Sequence, residues 1–122
     1  MKKTYDYVRK HGASLLKMLQ LNHFRVFIAT GKTKASMDIR VDYTYLRAYV
    51  RIGKDVHEAF ARGDHDYVVE CLCHELTHII VGIPMHKVKH RAKFLEQEES
   101  AVELLSRHIF ELYKLKGGMK DD

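Results

Sequence analysis

The stretch that decides how this chain folds is ECLCHELTHIIV, residues 70–81. It contains His74-Glu75-x-x-His78, in which two histidines stand four positions apart. On an α-helix, residues at this spacing lie on one face with Cβ atoms about 5–6 Å apart, so the two imidazoles can bind one metal ion. Glu75 projects from a neighbouring position and can accept a proton from a water on that ion. The stretch therefore predicts a helix that carries a metal site.

The same helix has an apolar face that predicts burial in the core. Its apolar residues recur with the helical period, and they are Val69, Leu72, Cys73, Leu76 and Ile80. We expect the helix to begin at Asp64 or Asp66 and to end at Gly82 and Pro84. An alternative interpretation of the motif is two half-buried histidines bonded to backbone or water, because buried polar groups need partners.

The rest of the chain predicts a small sheet and three further helices. A first helix starts near Thr4, and a short helix opens at Asp55 with a capping box. Segments of strand character cover residues 24–29, 37–42 and 45–52. A last helix is expected over residues 91–115, with a core stripe of Leu95, Val102, Leu105, Ile109 and Leu112. This order predicts one α+β domain over residues 1–122, with a small antiparallel-containing sheet packed on helices.

The composition is typical of a globular protein that has no membrane anchor. Hydrophobic residues make up 46% of the chain and charged residues 30%. No apolar run is long enough to span a bilayer, and the first residues lack the apolar region of a signal peptide. Cys71 and Cys73 stand on one predicted helix and point to different sides, so we expect no disulfide. These features predict a cytoplasmic protein that does not bind membranes.

Two further features have a structural and a functional interpretation. Cys71 precedes His74 by three positions; we interpret it as a small buried residue rather than as a metal ligand.

The net charge of +5 favours acidic partners or nucleic acid only weakly. The one basic cluster comprises Lys87, Lys89, Arg91 and Lys93. We interpret that cluster as a solvated loop and helix start, so nucleic acid is not the favoured partner.

The motif resembles those of the zincins, and specifically those of the small phage- and prophage-type gluzincins. The similarity covers residues 24–112 and involves the strand DYTYLRA at residues 42–48, the HELTH segment and the Glu98-Glu99 pair. The resemblance implies a zincin-like minimal metallopeptidase core with Zn²⁺ as its cofactor. It also implies that His74 and His78 bind the zinc and that Glu75 is the catalytic general base.

The same resemblance implies a peptide or protein substrate. Zincins commonly hold the peptide in extended form along an exposed sheet edge. The strand before the active helix does this in the family, which here corresponds to residues 45–52. On that assignment Tyr49 and Arg51 face the cleft. An ordinary amphipathic strand with a solvated face is the alternative interpretation of the same alternation.

A catalytic zinc needs a third protein ligand, and we expect this ligand to be Glu98. Position 98 falls within the core stripe of the last helix, where an apolar residue belongs, and a buried carboxylate must be paired or bound to metal. Glu98 also follows His78 by twenty positions, which matches the thermolysin-like spacing. Glu99, followed four positions later by Glu103, is the nearest rival. His90 is the second rival.

The leading hypothesis is therefore a zinc-dependent peptidase, and two alternatives stay open. One is an SprT-like protease acting on DNA-bound proteins, because HRAKF at residues 90–94 resembles the third-ligand motif of that family. Arg91 departs from its usual small residue. The other alternative is a metal-stabilised binding or regulatory domain without catalytic turnover.

Overall fold

The helix predicted around the motif is the central helix of the fold, and we label it α3 (His65–Met85). Its start is capped as expected, because the Asp64 side chain accepts a hydrogen bond from the Tyr67 N–H at 3.3 Å. The helix runs past its expected end, through Pro84 to Met85. A proline in the last turn removes only one helical hydrogen bond, and the His86 N–H still reaches the Gly82 carbonyl at 2.8 Å.

A computed structural model describes residues 1–120 and shows an α+β fold. Helix α3 is surrounded by three other helices, three strands and one short 3-10 helix. In chain order these are α1 (Lys2–Met18), β1 (Arg25–Ala29), β2 (Met37–Asp42), β3 (Arg47–Ile52), α2 (Lys54–Ala61), the 3-10 helix (Arg91–Phe94) and α4 (Leu95–Leu115). The predicted class, with a small sheet packed on helices, is confirmed.

The three strands form one mixed sheet in the order β1-β3-β2. Strand β1 pairs with β3 in parallel, with Phe27 opposite Tyr49. Strand β2 pairs with β3 in antiparallel fashion, with Arg40 also opposite Tyr49. The last predicted strand in the chain is therefore the central strand of the sheet, and β2 is an edge strand that packs against α3.

Strand β3 is two residues shorter at its start than the sequence predicts. Tyr45 and Leu46 belong to the turn that joins β2 to β3. Leu46 takes the left-handed backbone conformation there, with φ of 56°, which an extended strand does not allow. Its side chain is consequently 37% exposed. From Ala48 onward the alternation is as predicted, and Ala48, Val50 and Ile52 are buried.

The buried face of α4 differs in part from the predicted stripe. Val102 and Ile109 are buried as expected, while Leu95, Leu105 and Leu112 are 56%, 37% and 43% exposed. The remaining buried residues of this helix are Glu98, Ser106, Phe110 and Tyr113. Polar contacts help to set this face, since the Tyr113 hydroxyl lies 2.6 Å from Nδ1 of His11 in α1.

Helix α3 is also the one helix, within residues 1–120, that is long and apolar enough to cross a bilayer. Half of its most apolar window is buried inside the fold. Its fully buried residues include Val69, Leu72 and Ile79. The helix thus packs much of its apolar surface against the other elements of the fold, while Ile83 near its end stays 44% exposed.

Candidate metal centre

Two elements bring three potential metal ligands together. His74 and His78 lie one turn apart on α3, with ring centroids 5.2 Å from each other. Glu99, in the first turns of α4, points its carboxylate between them. One Glu99 oxygen lies 2.8 Å from Nε2 of His74 and the other lies 3.4 Å from Nε2 of His78. One ligand atom from each of the three residues falls within 4.8 Å of the others.

This donor set fits a zinc ion. Two imidazole nitrogens and one carboxylate oxygen are a common set for catalytic zinc, which leaves a fourth position open. Metal–ligand bonds of about 2.0–2.1 Å place neighbouring ligands of a tetrahedral ion about 3.3 Å apart. The distances from Glu99 to the two imidazoles, 2.8 and 3.4 Å, lie on either side of that value. Other divalent ions accept the same donors.

The two imidazoles differ in the contacts and the burial that favour metal binding. A Glu103 oxygen lies 3.1 Å from Nδ1 of His74. A hydrogen bond there fixes the ring and leaves Nε2 as the nitrogen directed toward Glu99. Burial lowers the pKa of His78. A lower pKa favours the neutral imidazole, which is the form that binds metal.

Glu75 is the most unusual side chain in this region. It is only 9% exposed, and its carboxylate has no hydrogen-bond or ion-pair partner among residues 1–120. Burial is the main reason that its pKa rises to about 8, and the negative charges of Glu99 and Asp38 add to the shift. The side chain lines a cleft that is open to solvent, so the carboxylate is largely covered but remains accessible. A glutamate with a strongly raised pKa beside two imidazoles points to a chemical role.

Glu98 has a different partner from the one the sequence suggested. Its side chain is buried, as the core stripe predicted, and its carboxylate binds the Arg91 guanidinium through two hydrogen bonds of 2.9 and 3.1 Å. The structure therefore pairs Glu98 with a cation and brings the rival Glu99 to the imidazoles.

Two other candidates also lie outside the group of ligands. His90 is exposed in a left-handed turn before the 3-10 helix, with φ of 62°. Cys71 is half-buried, and burial raises the pKa of its thiol to about 11. The metal-binding group contains His74, His78 and Glu99 but neither of these two residues.

The candidate ligands open into a cleft of about 410 Å³ between α3 and β2. Besides the ligands and Glu75, its walls are formed by Asp38, Ile39, Val41, Tyr43 and Arg91. The expectation that residues 45–52 border the cleft is wrong. Strand β3 is paired on both sides, and its Tyr49 and Arg51 line a separate groove with Arg40. The edge strand at the cleft is β2.

Tyr43 and Arg91 also line the cleft, and the sequence patterns did not predict either residue there. The Tyr43 hydroxyl donates to the Ile79 carbonyl at 3.1 Å and sits where a side chain at Gly82 would lie. A Cβ atom at Gly82 would meet that hydroxyl at 1.9 Å and an Arg91 nitrogen at 3.4 Å. One feature of the sequence could have indicated this contact. Gly82 lies four positions after His78, on the helix face that carries both histidines. A glycine there leaves space for a side chain from another element.

Similarity to known proteins does not indicate a function for this chain. No family model, no curated protein and no solved structure gave a significant match to this chain.

Proposed function

We propose that this protein is a zinc-dependent peptidase that hydrolyses peptide bonds. The observation that carries the proposal is Glu75, a glutamate that is only 9% exposed, lines the cleft and has no hydrogen-bond or ion-pair partner among residues 1–120. It adjoins two imidazoles and a second carboxylate that together make a zinc donor set. A carboxylate of raised pKa beside such a set is suited to moving protons near neutral pH.

In this proposal His74, His78 and Glu99 hold the zinc, and Glu103 orients the His74 ring. A bound zinc ion supplies Lewis acidity, which polarises a carbonyl group and makes water a better nucleophile at neutral pH. Glu75 accepts the proton of the attacking water and later delivers it to the amine that leaves.

The substrate is proposed to be an extended peptide or an unfolded protein segment bound along β2. The outer edge of β2 is unpaired within the described sheet, so its backbone groups can add another strand. That edge forms one wall of the cleft, through Ile39 and Val41, and faces Glu75 across it. A peptide added to β2 would therefore pass in front of the candidate catalytic groups.

Two further assignments extend this proposal. Glu99 lies on α4, the next α-helix after the one that carries His74, Glu75 and His78. This order of ligands supports classification of the protein with the gluzincin-like zincins. Cys71 and Cys73 are both free, which supports the cytoplasm as the compartment, because thiols stay reduced there.

The proposal is tested with Glu75→Gln and a matched control, Glu70→Gln. Glu70 lies five positions before Glu75 on α3 and is exposed. Protein purified without chelator should contain about one zinc per chain and should degrade an unfolded protein. Glu75→Gln should keep the zinc and lose the activity, whereas Glu70→Gln should keep both. A wild-type protein that binds zinc but cleaves nothing would instead favour the metal-stabilised domain without turnover.

A further inference from the structure

The sheet has a second face, opposite the helices, that carries planar and cationic side chains. We call it the outer sheet face. Residues that alternate with the buried ones on the three strands form it, and they are Arg25, Phe27, Ala29, Asp38, Arg40, Asp42, Arg47, Tyr49 and Arg51. A groove of about 530 Å³ on this face is lined mainly by Asp38, Arg40, Tyr49 and Arg51.

A row of three planar groups crosses the middle of the outer sheet face. The strand register places Phe27, Tyr49 and Arg40 side by side. The Phe27 and Tyr49 rings are stacked, with centroids 5.5 Å apart and planes inclined by 21°. The Arg40 guanidinium lies 4.5 Å above the centre of the Tyr49 ring. Phe27 is 40% exposed, so the row presents aromatic surface to the solvent.

The charges on this face are unevenly compensated. Arg51 is bound to Asp38, with its Nη2 atom 2.6 Å from the carboxylate. Arg25, Arg40 and Arg47 form no ion pair with any residue from 1 to 120. Asp42 lies opposite Arg47 in the strand register, so the face carries four arginines and two carboxylates. A partner that approaches it therefore meets three guanidinium groups that form no ion pair and a net positive charge around an aromatic row.

A fourth ring enlarges the surface at the end of the sheet where β3 begins. Tyr45, in the turn between β2 and β3, is 69% exposed. The Arg47 guanidinium lies 5.7 Å from the centre of its ring. The combination of an exposed ring and an unpaired arginine thus occurs twice, once in the aromatic row and once in this turn.

We propose that the outer sheet face binds single-stranded nucleic acid. Guanidinium groups bind phosphate with paired N–H donors and also stack on flat rings. Exposed aromatic side chains stack on unpaired bases, whatever the base, and basic side chains follow the phosphate backbone. The outer sheet face offers both kinds of contact within one groove. Bases in a duplex are already stacked on each other, so the aromatic row selects single strands.

This surface is separate from the candidate metal centre. It is built from side chains on the sheet face that points away from the helices, whereas the metal ligands belong to α3 and α4. The two sites approach each other only at β2, where Asp38 and Ile39 border both the cleft and the groove. Binding of nucleic acid and binding of zinc can consequently be measured and lost independently.

The test measures the fluorescence anisotropy of labelled oligo(dT), oligo(U) and a DNA duplex titrated with the full chain. We expect both single strands to bind more tightly than the duplex. The triple variant Arg25→Gln, Arg40→Gln and Arg47→Gln should weaken binding at least tenfold. It should also reduce the slope of log affinity against log salt by about 2, since each phosphate contact with a single strand contributes about 0.7.

The aromatic part of the site is tested separately with Phe27→Thr and Tyr49→Thr, because threonine lacks the ring but retains a high preference for strands. Each should weaken binding by roughly tenfold, because stacking on one base contributes about 1–3 kcal/mol. The salt slope should stay unchanged. Far-UV circular dichroism checks that the variants remain folded.

A matched control removes the same charge from the basic cluster in the loop and 3-10 helix after α3, with Lys87→Gln, Lys89→Gln and Lys93→Gln; we call it the loop variant. This variant should bind single strands like the wild type. Equal loss from the loop variant, equal affinity for the duplex, or competition by polyglutamate as strong as by unlabelled oligo(dT) would each overturn the proposal. The last result would identify the face as a site for acidic protein.

Discussion

Arg91→Met should destabilise the protein more than Glu98→Gln, although the two residues belong to one ion pair. The Glu98 side chain is 9% exposed and the Arg91 side chain 35% exposed. Loss of Arg91 leaves a buried carboxylate without its two hydrogen bonds. Loss of the Glu98 charge leaves a guanidinium that water can reach. The destabilisation is therefore asymmetric.

The size of each effect follows from the burial of the group that is left behind. Removing one partner of a buried pair destabilises by about 3–5 kcal/mol, and we expect the lower end, about 3 kcal/mol, because Arg91 is partly solvated. Glu98→Gln keeps the shape and one acceptor, so it should destabilise by about 1–2 kcal/mol. The double variant, which leaves no buried charge, should be more stable than Arg91→Met alone.

The assay is urea unfolding followed by far-UV circular dichroism, because the chain has no tryptophan. A chelator in every sample removes any contribution from bound metal. The asymmetry would be disproved if Glu98→Gln destabilised the protein as much as Arg91→Met. It would also be disproved if the double variant were the least stable of the three. Either result would mean that Glu98 is not buried against Arg91.

Three further predictions concern the rest of the fold. Gly53→Ala should lower the free energy of unfolding by about 1–3 kcal/mol in urea, because its Cβ would meet the Ala35 carbonyl oxygen at 2.1 Å. An unchanged unfolding midpoint would contradict this close approach of the two backbones. Leu72→Ala should destabilise by about 3 kcal/mol, since Leu72 is fully buried, and a loss below about 1 kcal/mol would contradict that burial. The hydrogen bond from Ser36 is the main reason that the Asp55 pKa is lowered, so Asp55 stabilises the fold above its unfolded pKa and loses this effect as the pH falls through the folded value. Asp55→Asn should thus be less stable than the wild type at neutral pH, and the difference should shrink in acid; a difference that grows in acid would contradict the sign.

Local patterns predicted where the helices lie but not all of their starts. Helices α1 and α2 begin at Lys2 and Lys54, and neither has the side-chain cap expected at Thr4 or Asp55. The α3 helix follows from its apolar period and from Asp64, whose side chain caps it as expected. The alternation of Ala48, Val50 and Ile52 correctly predicted one buried face of β3. It did not show which strand lies at the edge, because pairing of backbone groups on both sides of β3 leaves no mark in the side-chain pattern.

The third candidate ligand could not be predicted from local sequence patterns. Adjacent residues of a helix point about 100° apart, so the choice between Glu98 and Glu99 depends on how α4 is rotated against α3. The stripe correctly predicted that Glu98 is buried. It did not reveal Arg91, seven positions earlier in a 3-10 helix, as the cation that compensates the carboxylate. That pairing depends on the path of the loop after α3, which residue spacing does not specify.

The most direct test of the proposed metal centre is the zinc affinity of Glu99→Ala compared with that of Glu98→Ala. Both variants lose one carboxylate from the same turn of α4, so they are matched in charge and position. Competition with a zinc-binding dye should show that Glu99→Ala binds zinc at least tenfold more weakly than the wild type, since it loses one of three protein ligands. Glu98→Ala should bind zinc within a few-fold of the wild type. Wild-type affinity in Glu99→Ala, or a loss confined to Glu98→Ala, would contradict the account.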